Sequence, residues 1–305
     1  MLETVGVAAL NRHTNDDIWL NELIQAISTE IRYPLVPPVV TSLSDAYFEI
    51  HLELSLLRVP LAEGHFLLHL PDLYHELAHP LLSEANDPRL TPFHGSLGNV
   101  IDAATLHFAE ERRRADRVRA PLRLAFFLDN WLRHWMLVWP MEFFCDLFAT
   151  CLAGPAYVWS HFHLTAKRGQ HLYEIPQGGL QTHPPDHARM TAMLACLDSM
   201  GFAESADDIR SRWDQLADLG GQRPSADYHC CFPSDLMKRV VQEALSGVSG
   251  MGCAQLSPEG QRGVAGVLND AWVAFWKSPP DYPAWEKQRV AALKREYSMT
   301  RCASE

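Results

Sequence analysis

The segment His75-Glu76-Leu77-Ala78-His79 has the spacing most able to do chemistry in this chain. Imidazoles four residues apart project from one face of a helix, where both can reach a single tetrahedral metal ion. A glutamate directly after the first imidazole can take a proton from water held on that metal, as a general base. The chain holds 15 histidines, enough for composition alone to produce this pattern in roughly one such sequence in twenty. The surroundings therefore decide its meaning.

A catalytic zinc takes three protein donors and keeps one position open. The segment Pro140-Met141-Glu142-Phe143-Phe144-Cys145-Asp146 offers the third donor. Pro140 is suited to the first turn of a helix, and Glu142 and Asp146 then share one face. Two carboxylates on so apolar a helix are costly to bury unless something cationic meets them. A metal ion with its histidines would do so, with Glu142 as ligand and Asp146 as the acceptor that orients a ligand imidazole. The competing expectation is an ion pair to Arg123 or Arg133. His51, His65, His69, His161 and His163 are further candidate ligands, although a histidine among apolar residues is more often a hydrogen-bonded core residue.

These residues need a scaffold. Helical spacing runs over 16–31, then Pro34, Pro37 and Pro38 interrupt it. The stretch 46–59 alternates in part, placing Phe48, Ile50, Leu52, Leu54 and Leu56 on one face of a strand or hairpin. A helix follows Gly64 and carries both histidines; Pro80 is expected to kink or end it. A polar loop with Pro88, Pro92 and Gly95 precedes helices over 97–114, 121–138, 141–152, 156–165 and 186–200. Four more helices are expected between 205 and 297. The fold class is mainly α (α+β), a helical core with a small N-terminal β-sheet. Residues 1–202 form the candidate domain for this site and 203–305 a helical C-terminal region, with a weakly marked boundary near 203–225. Trp131, Trp135, Trp139 and Trp159 read as core packing.

The HExxH motif followed by ExxxD (Glu142 to Asp146) resembles the gluzincin pattern. A third element, His183-Pro184 with Arg189 five residues beyond the proline, resembles the HPx4R signature of the CaaX-prenyl-protease/HtpX family of metallopeptidases, and the order of the three elements is the same. The resemblance covers about residues 40–200 and rests on motifs. It implies a zincin-like core and one zinc ion held by His75, His79 and Glu142, with Glu76 as base. It further implies that His183 and Arg189 line the site and steady the anionic intermediate. Ala78 stands where the family often has glycine, and Pro80 is unusual. Members are often membrane-embedded, so a membrane or prenylated substrate is not carried over.

Bulk properties narrow the classes. A net charge of -11 opposes general binding to nucleic acid or anionic membranes. The one basic cluster, Arg112-Arg113-Arg114 with Arg117, Arg119 and Arg123, reads as a solvated helix face. The N-terminus lacks a secretory signal pattern, and the apolar stretch 122–159 is interrupted by Asp129, Arg133, His134, Glu142 and Asp146, so no membrane span is expected. Seven cysteines, including the adjacent Cys230-Cys231, suit neither a zinc ribbon nor a disulfide framework, and a reducing cytoplasm is expected. The expected activity is zinc-dependent hydrolysis of peptide bonds in a peptide or protein substrate. The alternatives are a zinc-dependent small-molecule amidase and a non-catalytic, zinc-stabilised partner-binding protein.

Overall fold

Among the described residues, helices surround one sheet of three short strands. The computed structural model describes residues 15–44, 47–60, 62–118, 122–260 and 263–302. Helix α1 (Asn15–Glu30) leads to strand β1 (Val39–Ser44), then β2 (Glu49–His51) and β3 (Leu56–Pro60). Helices α2 (Asp72–Ser83), α3 (Thr91–Arg117), α4 (Leu122–Leu137), α5 (Trp139–Ala153), α6 (Pro155–Arg168) and α7 (Asp186–Ser199) follow. Then come α8 (Ala203–Leu219), α9 (Ala226–Cys231), α10 (Ser234–Gly250), α11 (Gly263–Lys277) and α12 (Tyr282–Cys302). The protein is mainly α with a small N-terminal sheet, as its periodicity implies.

The sheet has the order β1-β3-β2, with β2 antiparallel and β1 parallel to β3. The alternating stretch is thus a hairpin, not a single strand, and Ala46 lies outside the described residues. Leu52 and Leu54 form an exposed 3-10 turn between its arms, against the expectation that they continue one face of a strand with Phe48, Ile50 and Leu56. Ser55 turns the chain with a positive φ of 45°. Strand β1 has no counterpart in the sequence reading. Its partner lies a hairpin away, a non-local pairing that local alternation does not reveal.

The helix that carries His75 and His79 departs from expectation in its bounds. It begins at Asp72, because the preceding stretch first makes successive tight turns in which the N–H groups of Glu63, Phe66, His69, Asp72, Leu73 and Tyr74 reach the carbonyl three residues back. It also continues past Pro80 to Ser83, so the helix does not end at the proline. Pro80 removes one N–H bond to the Glu76 carbonyl. The next turn is held by Ser83 Oγ donating to the His79 carbonyl and by Glu84 N–H donating to Pro80 O. Similarly, Pro92 and Gly95 lie inside α3, since proline is tolerated in a first turn.

Among the described residues the C-terminal region holds five α-helices where four were expected, α9 being a short helix of six residues. They share the core of the preceding residues: one continuous cluster runs from Trp19 to Leu293 and includes Trp131, Trp135, Trp139 and Trp159. Helix α10 lies closely along α3, where Gly247 and Gly250 leave room for Phe93 and Pro92. Arg112, Arg113, Arg114 and Arg117 are ion-paired with Glu110, Glu111, Asp116 or Asp129, which makes this face locally neutralised; Arg119 lies outside the described residues. Arg123 stacks over the Phe127 ring. Among the described residues no single helix is long and apolar enough to cross a membrane, although the bent pair Arg123–Leu137 and Trp139–Ala153 is so in combination.

Candidate metal centre

The site is made where α2 packs against α5. Both helices are apolar enough to pack, yet each has polar residues on the facing surface at helical spacing. On α2 these are His75, Glu76 and His79; on α5 they are Glu142, Cys145 and Asp146. Asp72, one turn before His75, fixes the start of α2 by accepting hydrogen bonds from Tyr47 Oη and Ser160 Oγ, each at 2.7 Å.

Glu142 Oε2 is 3.5 Å from His75 Nε2 and 3.3 Å from His183 Nε2. This oxygen is buried and makes no hydrogen bond within the protein. On the other ring nitrogen, His75 Nδ1 is 3.1 Å from Asp146 Oδ1 and 2.9 Å from the Tyr157 hydroxyl. The hydroxyl also donates to Asp146 Oδ1 at 2.6 Å. His75 is thereby held with Nε2 toward Glu142. One donor atom from each of His75, His79 and Cys145 lies within 4.8 Å of the other two, a group that could hold a metal ion. Cys145 Sγ is 3.5 Å from His79 Nδ1.

Arg189 is buried and gives Asp146 two hydrogen bonds, from Nε at 2.7 Å and Nη2 at 2.6 Å. The ion pair weighed for this acidic pair therefore involves neither Arg123 nor Arg133: Asp146 pairs with Arg189. His183, by contrast, is 58% exposed and stands at the rim beside Glu142. The HPx4R element thus brings its two ends to different sides of the site, His183 near the opening and Arg189 behind Asp146.

The electrostatics follow from this arrangement. Burial would raise the Asp146 carboxyl, but the Arg189 guanidinium and its hydrogen bonds, with His75, hold it well below the ordinary range. Burial would lower His75, yet its contacts with Asp146 and Glu142 raise it to about 10. Burial likewise opposes the Glu142 charge, but contact with His75 and its charge bring the carboxyl down to about 2. His79, without such partners, is pushed down to about 4 by burial and by the charge of His75. Glu76 is raised to about 7, chiefly by burial, with Asp72, Glu142 and Glu49 adding to it against His75. The two carboxylates on α5 require compensating positive charge; Arg189 supplies it beside Asp146, and Glu142 Oε2 faces imidazole nitrogens of His75 and His183.

The other histidines are occupied elsewhere. His51 contacts Arg58 and Glu49, and His65 contacts Lys294. His69 bridges Glu63 and His163, and His161 lies against Asp186. Sequence reasoning missed two residues of the site. Cys145 is three residues after Glu142, a spacing that shares its face, and this signal was available. Tyr157 carries no local signal; it arrives only through the packing of α6 beside α5. No family model matches this sequence, and no curated protein or solved structure matches it either.

Proposed function

We propose that this chain is a zinc-dependent peptide-bond hydrolase, a gluzincin-type metallopeptidase with one zinc ion held by His75, His79 and Glu142. The observation that carries this reading is the Glu142 oxygen, buried without a hydrogen bond and facing imidazole nitrogens at 3.3 and 3.5 Å. A buried charged oxygen without a hydrogen-bond donor is expensive, and a cation is the partner that relieves it. Tetrahedral zinc with bonds of about 2.0–2.3 Å has donor–donor edges of about 3.3–3.8 Å, which the His75–Glu142 distance of 3.5 Å matches. A mixed set of imidazole and carboxylate donors also suits zinc. The bound ion would supply Lewis acidity toward a carbonyl and favour ionisation of water beside it.

The chain's own groups supply the rest. Glu76 follows the first ligand histidine and is poised, with its pKa held up to about 7, to accept a proton from water and return it to a leaving amine. His183, exposed at the rim, is the donor for charge that builds on the substrate oxygen. Arg189 acts through Asp146 as a positioning residue, since its Nε and Nη2 are engaged there. Asp146 and Tyr157 orient His75.

A peptide substrate is favoured by the sheet. Strand β2 pairs with β3 on one side and is otherwise an edge, and its Glu49 is close enough to raise the Glu76 carboxyl. An extended peptide can add to such an edge by main-chain hydrogen bonds. Free thiols among the described cysteines fit a reducing cytoplasm as its place of action. The test is Glu76→Gln assayed on a broad panel of quenched peptides: turnover is lost while zinc is retained. Full turnover in the variant would exclude Glu76 as the base.

A further inference from the structure

We infer that Cys145 is a fourth donor to the same metal, seated where a hydrolytic centre would keep its open position, so that the resting centre is closed by a thiolate. This rests on the proposed metal reading and assigns a regulatory role within it. Four donors come from two facing helices. His75 and His79 stand four apart on α2, and Glu142 and Cys145 stand three apart on α5, both spacings that share a helix face.

The donor atoms that all lie within 4.8 Å of one another belong to His75, His79 and Cys145, and Glu142 adjoins this group through His75. His75 Nε2 to Glu142 Oε2 is 3.5 Å, and His79 Nδ1 to Cys145 Sγ is 3.5 Å. Both fall within the edge of about 3.3–3.8 Å set by zinc bonds of about 2.0–2.3 Å. The sulfur lies among the nitrogen donors, within 4.8 Å of one atom of each histidine. An independent sign of a cation is the buried, unpartnered Glu142 Oε2 of the same helix face. Cys145 also differs from the other buried thiols of the neighbourhood. Cys151 and Cys196 face each other at 3.8 Å, sulfur to sulfur, as apolar filling does.

A four-donor protein set is the pattern of a closed zinc site, and a three-donor set that of a catalytic one. On binding, the thiol gives its proton to solvent and its sulfur bonds the metal. Opening would be the reverse exchange: the sulfur would leave and take a proton back from solvent as water or substrate entered, with no oxidant or reductant needed. A closed resting site would keep the centre silent until a substrate seated at the rim displaces the sulfur.

The test is Co2+ substituted into the full-length chain after chelation, read by absorption. The wild type is expected to show a near-ultraviolet sulfur-to-cobalt charge-transfer band that is lost in Cys145→Ser and Cys145→Ala. Zinc X-ray absorption on the wild type alone should show one sulfur at about 2.3 Å beside nitrogen and oxygen neighbours, which decides the matter even if the variants fail to fold. Stoichiometric cobalt without a sulfur band, or a band that persists in both variants, overturns the role of Cys145 and leaves the metal reading standing. No stoichiometric binding of cobalt or zinc overturns both.

Discussion

Asp146 Oδ1 lies 3.1 Å from His75 Nδ1, and the same carboxylate takes two hydrogen bonds from Arg189. One fully buried side chain therefore orients a candidate ligand and neutralises a buried arginine. Asp146→Asn should cost roughly 3–5 kcal/mol, because the Arg189 charge is left buried without its partner. It should also weaken metal binding by about 10–100-fold through loss of the anionic partner of His75. Denaturant unfolding with chelator present isolates the first effect, and competition against a chromogenic chelator isolates the second. Wild-type values in both would show that the contact does neither.

Tyr157 separates orientation from charge. Its hydroxyl touches both His75 and Asp146, yet it carries no charge itself. Tyr157→Phe should leave the buried Asp146 carboxylate without one donor and His75 Nδ1–H without one acceptor, costing about 1–3 kcal/mol in stability. The loss in metal affinity should be smaller than for Asp146→Asn. A larger loss would mean that the hydroxyl, rather than the carboxylate, sets the orientation of His75.

His161 gives a pH dependence away from the α2 histidines. It is 4% exposed, and burial first, then the charge of Arg189, push its pKa down from 6.5 to about 4. A depressed histidine favours the neutral form in the folded state. Its contribution is present above the unfolded pKa of about 6.5 and is lost as pH falls toward about 4, amounting to about 3 kcal/mol. His161→Phe should flatten the fall in unfolding free energy between pH 6.5 and 4. Identical pH slopes for variant and wild type would refute this.

Two glycine substitutions should act in opposite directions. Gly95 lies in α3 with nothing within 4 Å of an added Cβ, so Gly95→Ala should stabilise by up to about 1 kcal/mol. Gly247 lies in α10, where a Cβ would come within 2.9 Å of Phe93 Cδ2 and 3.2 Å of the Phe93 Cα. The backbone atom cannot move aside as a side chain can. Overpacking of about 1–3 kcal/mol then outweighs the helix-propensity gain of about 1 kcal/mol. Thermal unfolding of the two variants decides, and stabilisation by Gly247→Ala would show that α3 and α10 are less tightly packed.

How much of this was legible in the residues alone depends on how local each signal is. His75 with His79, and Glu142 with Asp146, are pairs at helical spacing, and their helices followed from apolar periodicity. The hairpin showed in the alternation around Ile50 and Leu56, but the parallel partner β1 did not, because its pairing is non-local and prolines precede it. Pro80 pointed to a helix end, yet the packing of Leu81 into the core and the Ser83 bond to His79 carry α2 one turn further. Tyr157 and the Asp146–Arg189 pair depend on which helices become neighbours, and no local spacing encodes that. Cys145 was at a readable spacing, but a cysteine after two phenylalanines also reads as core.

A metal ion held between α2 and α5 is tested most directly by elemental mass spectrometry of the purified protein. The comparison is with a variant carrying both His75→Ala and Glu142→Ala. About one zinc per chain in the wild type, absent from the variant, is the expected result. No zinc in the wild type, even after reconstitution, or equal zinc in both proteins, would contradict it.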